Sequence, residues 1–188
     1  MRDLVPINAM ATRKQLEATF RAHGQTEFRW VKPSQIVVAH WVRMKCQFGC
    51  QDYGHNPSCP PNLPAVADCA RFFWEYRRAV IFHHAARLHH PNDRHAWTNR
   101  KIRELLGLER EVFLGGAEKA FLLALDNCHL CKVCSGDRRA CKLPRLARPT
   151  PEAMAVDVFA TVRAAGFPIR VLSTTAETMN RYAILLVD

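Results

Sequence analysis

The chain has 188 residues, is 48% hydrophobic, and carries a formal net charge of +10. A chain of this size and composition can bury one hydrophobic core, so we expect a single domain over residues 1–188. No stretch of about 18 apolar residues occurs, and no apolar segment precedes a small-residue cleavage site. These observations argue against a membrane span and against secretion, and we expect a cytoplasmic protein.

Hydrophobic periodicity and turn residues divide the chain into helices and strands. Thr12 is a predicted helix N-cap, and Gly24 ends that helix. Thr150, which a proline follows, is the predicted N-cap of the last helix, and Gly166 ends it. The predicted elements are helix 12–23, strands 27–31 and 36–43, a helix from about residue 64, strand 79–82, helix 93–114, strand 120–125, helix 150–165, and strands 169–172 and 181–187.

This alternation predicts an α/β fold, a layered α/β sandwich with a mixed sheet. The segment 36–43 is predicted as a strand because it is rich in β-branched and aromatic residues. If the strands that end at Arg43 and Leu125 are parallel, the loops that follow them leave the sheet at the same rim. We therefore expect those two loops, both rich in cysteine, to be neighbours.

The loop 128–149 carries four of the eight cysteines at the spacing C-x2-C-x2-C-x6-C. Three thiols spaced three residues apart can wrap one corner of a metal centre, and a fourth can close it. This spacing is typical of 4Fe–4S loops, whereas zinc sites more often combine two separated C-x2-C pairs. The predicted ligands, the Cys128 group, are Cys128, Cys131, Cys134 and Cys141.

The loop 46–61 holds three more cysteines at C-x3-C-x8-C, and two prolines follow directly. Its glycines and prolines predict an irregular loop suited to curling around a ligand. In a reducing cytoplasm, clustered cysteines are read as metal ligands rather than disulfides. The predicted ligands, the Cys46 group, are Cys46, Cys50 and Cys59.

The eighth cysteine, Cys69, lies in a predicted helix at a spacing that places it beside Val66, Phe73 and Tyr76. We interpret it as a core residue, because a free cysteine packs as a small hydrophobic side chain. The alternative is that Cys69 is a fourth ligand of the Cys46 group. Three ligands are therefore the expected number there.

A histidine-rich stretch follows the strand 79–82. The histidines lack an i, i+4 pair on a clear helix, and adjacent histidines point in diverging directions. We therefore predict a solvated turn rather than a metal site. The histidines concerned are His83, His84, His89, His90 and His95.

The positive charge suits an acidic redox protein or a nucleic acid as partner. Seven metal-bound thiolates would lower the net charge, however, because cysteines count as neutral in the formal value. No aromatic residue alternates with the densest basic run, although single-strand binders use aromatic side chains for base stacking. Nucleic acid is therefore possible but not favoured. The run consists of Arg138, Arg139, Lys142, Arg145 and Arg148.

The two cysteine groups, with Pro60-Pro61 after the first and Arg148-Pro149 after the second, resemble a family of uncharacterised prokaryotic proteins. That family is described as predicted metal-binding proteins, domain of unknown function 2284. The resemblance covers residues 40–165 approximately and implies metal binding at the seven cysteines, but no established reaction. The chain departs from the family pattern at Ala155, where a glycine is expected.

Three functions are consistent with these features. The first is an iron–sulfur protein with one or two 4Fe–4S clusters and a redox or electron-transfer role. Its partner would be a redox protein or a small-molecule substrate. Three thiolates at the Cys46 group would leave one iron accessible, with Lys45, Arg43 and His55 as candidates to hold an anion nearby. The second is a zinc-stapled module that binds RNA or another polyanion. The third is a metal or cluster accessory protein without catalysis.

Overall fold

The computed structural model describes residues 11–88, 93–174 and 176–188. Five α-helices and four strands are assigned within these residues. The helices are α1 (Arg13–Ala22), α2 (His40–Gly49), α3 (Val66–Trp74), α4 (Asp93–Leu114) and α5 (Val158–Ala164). The strands are β1 (Phe28–Val31), β2 (Ala79–Ala86), β3 (Phe121–Leu123) and β4 (Met179–Leu186).

The four strands form one sheet in the order β1-β2-β4-β3. Phe28 pairs with Phe82, Ala79 with Leu186, and Leu123 with Ile184. The predicted α/β class is confirmed. The predicted mixed sheet is wrong, because every strand pair among the described residues is antiparallel.

Helices cover both faces of the sheet, and each face has its own core cluster. Val80 and Phe82 of β2 face the cluster that contains residues of α1 and α4, whereas Ala79 and Ile81 face the cluster that contains residues of α3 and α5. Because side chains alternate along a strand, a strand covered on both faces is apolar at successive positions. This explains the continuous apolar runs in β2 and β4.

The predicted strand 36–43 is wrong. Only Val38 makes a β-bridge, with Val156, and α2 begins at His40. The β-branched residues that suggested a strand precede the helix, and Arg43 lies inside α2. Within the described residues, therefore, no pair of parallel strands precedes the two cysteine loops.

The helix ends depend on local capping. The Thr12 hydroxyl accepts a hydrogen bond from the Gln15 amide and caps α1, as predicted. Thr150 also accepts a hydrogen bond from the Ala153 amide, but residues 151–155 form turns and no helix begins there. Ala155 adopts a positive φ of 61°, which is incompatible with helix continuation. Helix α5 begins only after Asp157, whose carboxylate accepts from the Ala160 amide.

Two further predictions require correction. Residues 169–172 form no strand. His83 and His84 are buried in β2 rather than solvated in a turn, and His95 lies in α4. His89 and His90 lie outside the described residues.

Candidate metal centres

The Cys128 group lines a single cavity of about 160 Å³. The segment leaves β3 through the buried residues Ala124 and Leu125, and Leu130 and Ala147 anchor it in the protein interior. Between these anchors, Gly136 takes a positive φ of 75° that favours glycine. The loop can therefore curl, and all four predicted ligands of this group reach one cavity.

The Cys46 group lines a second cavity, of about 220 Å³. Cys46 is in the last turn of α2, and Cys50 follows the end of that helix. Residues four apart lie on the same side of a helix, so the helix end presents these two thiols together. Cys59 is buried in the irregular loop and completes the group. Sequence spacing thus identified three side chains that share a cavity.

The cysteine thiols are arranged around cavities rather than packed against one another. Within the part of the chain that the structure describes, no three histidine, cysteine, aspartate or glutamate side chains lie close enough to hold a single metal ion.

The two cavities adjoin, as expected for the loops, although parallel strands do not bring them together. Asp52 lines both cavities. The Asn56 side-chain amide donates to the Cys128 carbonyl at 3.1 Å, and the Asn127 side-chain amide donates to the Asp52 carboxylate at 2.7 Å. Each loop therefore contributes one side-chain amide that donates a hydrogen bond to the other loop.

Burial makes the thiols poor acids in the absence of a cation. It raises the pKa of Cys46 and Cys128, and it raises the pKa of Cys59 to about 12, with the Asp52 carboxylate adding to that effect. A bound metal reverses this balance, because it stabilises the thiolate directly. Protons are therefore released when metal binds to these side chains.

Cys69 is fully buried in α3, in the core cluster that also contains Phe73, as predicted. Its Sγ lies 4.0 Å from the Met154 Sδ and 3.6 Å from the Pro64 carbonyl oxygen. Cys69 is absent from the lining of both cysteine cavities. The geometry accordingly places it with the core side chains.

The three residues predicted to hold an anion near the Cys46 group lie in different surroundings. The Arg43 guanidinium donates to the carbonyls of Pro64 and Ala153, which fixes α2 to the neighbouring loops. His55 lines the cavity of the Cys128 group instead. Lys45 lies beside the Cys46 group and lines a larger groove.

Sequence reasoning missed the polar wall behind the Cys46 group. Asp126 is 9% exposed and accepts two hydrogen bonds from Arg94 Nη2, at 2.8 and 3.1 Å, and one from Nε at 3.2 Å. Arg181 of β4 and Glu152 complete this wall. The available signal was the Asp126-Asn127 pair, which directly follows an apolar strand and precedes the first cysteine of the Cys128 group.

A groove of about 710 Å³ continues from the Cys46 cavity. Cys46, Cys50, Glu152 and Arg181 line both spaces. The Glu152 side chain is accessible from the groove, yet the surrounding protein raises the pKa of its carboxyl by displacing water. The Cys46 group is therefore open to a large neighbouring space.

The fold is a sheet covered by helices, and it carries two adjoining cavities lined by cysteines. These features together define a cysteine-rich metal-binding protein. The chain belongs to the family described as "Predicted metal-binding protein (DUF2284)", whose match covers residues 29–187. This confirms the family that the cysteine spacings indicated. No curated protein and no solved structure matches the chain. No helix among the described residues is long and apolar enough to cross a membrane.

Proposed function

We propose that the protein is an iron–sulfur redox protein. The Cys128 group would hold one 4Fe–4S cluster with four thiolates, and the Cys46 group would hold a second with three. The observation that carries this proposal is the grouping of seven cysteines around two adjoining cavities, four around one and three around the other.

The donor set and the space available fit such clusters. Each group offers only thiol sulfur, which suits iron–sulfur clusters and zinc more than magnesium or calcium. A single water-sized particle requires about 10–15 Å³, whereas the cavities measure about 160 and 220 Å³. Each cavity therefore has room for a group of several atoms.

The two groups would serve different chemistry. When bound, a cluster with four thiolates supplies electron transfer, and a cluster with three leaves one iron that can act as a Lewis acid. The chain's own residues set this difference. The cavity of the Cys128 group lies between the two cysteine loops, whereas the cavity of the Cys46 group opens to the groove.

The proposed partners follow from the surroundings of each group. Exposed basic residues surround the Cys128 group, and an acidic redox protein would complement their charge. A small-molecule substrate would reach the Cys46 group through the groove. The exposed basic residues are Lys132, Arg138, Arg139, Lys142 and Arg145.

The test is the metal content of protein purified without oxygen. We expect brown protein with labile sulfide and about eight irons per chain. Cys131→Ser and Cys50→Ser should each remove about half of the iron, because each variant breaks one group. Colourless protein with stoichiometric zinc would contradict the proposal and favour a zinc-stapled module that binds a polyanion. Transfer of intact clusters to a cluster-free acceptor protein, without redox cycling, would favour an accessory role.

A further inference from the structure

The groove beside the Cys46 group has the size and lining of a small-molecule site. Its volume of about 710 Å³ falls within the range of about 300–1,000 Å³ typical of ligand pockets. Trp41, Phe159 and Val171 contribute apolar surface to its walls. Trp41 is 46% exposed and Val171 is 77% exposed, so an apolar ligand would remove both from water.

The charged residues of the groove favour an anion. Four cations line it, against the two carboxylates of Glu152 and Asp157. Arg170 is paired with Glu177, and Asp157 accepts the capping hydrogen bond of α5. The other three cations are Lys45, Arg163 and Arg181, of which Arg181 also lies within ion-pair distance of Asp126.

Arg181 lies where the groove meets the cysteine cavity, since it lines both spaces. Its guanidinium is 3.9 Å from the Asp126 carboxylate, too far for a hydrogen bond. Asp126 is instead engaged by the bidentate contact with Arg94. The planar guanidinium of Arg181 can therefore donate two parallel N–H hydrogen bonds to a carboxylate or phosphate.

We propose that this groove binds an organic anion, a carboxylate or phosphate monoester attached to an apolar body. The anionic end contacts Arg181 beside Cys46 and Cys50, and the apolar body lies along Trp41 and Phe159. This inference rests on the proposed function and extends it, because it names the class of substrate that reaches the open metal position. Lys45 and Arg163 add longer-range attraction for the same charge.

The experiment is calorimetric titration of the metal-loaded protein with four probes of equal chain length. Octanoate and octyl phosphate carry the expected anion, whereas 1-octanol and octylammonium lack it. We expect at least one of the two anions to bind more tightly than about 1 mM, and neither control probe to do so. Equal binding of octanol and octanoate, or no binding of either anion at that level, would overturn the proposal. The relative affinities of the two anions distinguish a carboxylate from a phosphate site.

Substitutions of the arginines in the groove test where the anion binds. Arg181→Gln should weaken anion binding at least about tenfold, the loss expected for a hydrogen bond to a charged group. Arg163→Gln, on the exposed side of α5, should weaken binding about threefold without affecting folding. The matched control is Arg100→Gln, an exposed position of α4, which should leave the affinity unchanged. Unchanged affinity in both groove variants would contradict the assignment.

Metal analysis of the same samples separates the two hypotheses. Anion binding by zinc-containing protein would reject the iron–sulfur proposal and leave the anion site intact. Iron- and sulfide-containing protein that binds neither anion would reject the anion site alone. Octanoate should also change the visible absorption of iron-loaded wild-type protein, because the bound anion lies beside the Cys46 group, and octylammonium should not.

Discussion

The two cysteine groups use the same donor atom but differ in how the chain encloses it. The ligands of the Cys128 group come from one segment of 14 residues, and the other cysteine loop completes the wall of their cavity with Asp52, His55, Asn56 and Pro57. The Cys46 group joins a helix end to an irregular loop, and its cavity continues into a groove more than three times as large, about 710 against 220 Å³.

This difference shows how ligand spacing affects access. The short spacings of the Cys128 group place all four ligands in a single loop, and among the described residues only the other cysteine loop adds to the wall of their cavity. The longer spacing of the Cys46 group leaves part of its wall to distant segments, including Asp126, Glu152 and Arg181. A site walled by several distant segments can select a ligand, whereas a site formed by two adjoining loops is better suited to stability and electron transfer.

The largest expected effect is in Cys131→Ser. Metal binding to a loop contributes directly to folding free energy, so loss of one Cys128-group ligand should cost about 4 kcal/mol or more. Cys50→Ser should lose a similar amount of metal at a smaller stability cost, because Cys50 is exposed. Metal analysis and thermal unfolding measure both variants. Wild-type metal content and melting temperature in Cys131→Ser would show that the Cys128 group is not a structural metal site.

The second prediction tests whether the two groups are coupled. Asn56 is 4% exposed, donates to the Cys128 carbonyl, and accepts from the amide and hydroxyl of Ser58. Asn56→Ala should therefore cost about 2–3 kcal/mol and weaken metal retention at both groups. Asn62→Ala, an exposed amide in the same loop, is the control and should cost less than about 1 kcal/mol. Denaturant unfolding and metal analysis of both variants test this prediction. Equal losses of stability and of metal in Asn56→Ala and Asn62→Ala would show that Asn56 does not link the two groups.

The third prediction separates acid sensitivity of the sheet from that of the metal loops. Burial lowers the pKa of His84 to about 4, and the nearby Lys101 and His83 act in the same direction, against Glu104 and Glu27. Between pH 6.5 and 4, His84 is therefore protonated in the unfolded state but neutral in the folded state. The free energy of unfolding consequently falls as pH falls. From pH 7 to 4.5 the loss attributable to His84 is about 2 kcal/mol.

His84→Phe should remove this part of the pH dependence, and the buried, unpartnered Nε2 disappears with it. The measurement is the free energy of unfolding of wild type and variant at pH 7 and 4.5. His40→Gln, an exposed histidine, should retain the wild-type difference. If His84→Phe loses as much stability in acid as wild type does, His84 is not the group responsible.

The fourth prediction concerns the number of ligands in the Cys46 group. Cys69→Ala should keep the full metal complement and cost about 1 kcal/mol, the cost of removing a small buried side chain. Metal analysis checks this directly. Loss of about four irons per chain would show that Cys69 is a fourth ligand, and the contrast between a closed and an open group would no longer hold.

The smallest expected effect is at Ala155, in the turn that carries Glu152 to the wall of the Cys46 cavity. A left-handed alanine costs about 1–2 kcal/mol, and the greater freedom of unfolded glycine offsets part of the gain from replacing it. Ala155→Gly should therefore raise stability by less than about 1 kcal/mol, as measured by thermal unfolding. A drop of more than 1 kcal/mol would mean that packing of the buried methyl group outweighs the strain.

Cysteine spacing predicted which side chains share a cavity better than periodicity predicted the elements that present them. Cysteine spacing is a local property, and all seven predicted ligands line the two cavities. Helices α1 and α4 were also predicted accurately, because their apolar periodicity and end signals agree with the observed bounds. Asp126 and Arg181 were not found, since only tertiary structure brings residues 55 positions apart to one wall.

The main errors arose where local preference and the final structure disagree. The β-branched residues before His40 indicated a strand, but Trp41, Met44 and Phe48 also have the i, i+3, i+7 spacing of a helix face. Thr150 does cap a turn, yet the left-handed Ala155 prevents a helix from continuing. His83 and His84 are polar by type but become buried because β2 is covered on both faces.

The position of β4 in the sheet constrains the order of assembly. It pairs with both β2 and β3, and its residues follow both cysteine loops in the chain. Only the β1–β2 pair can form before β4 is available. The β2–β4 pairing closes a loop of about 100 residues, and the entropy cost of closing that loop makes the step slow. During synthesis, every cysteine therefore leaves the ribosome before the sheet can close, and metal can enter loops that are still accessible. Pulse-labelling hydrogen exchange during refolding should show residues 84–86 of β2, which pair with β4 and not with β1, becoming protected together with β4. Earlier protection of these residues would contradict this order.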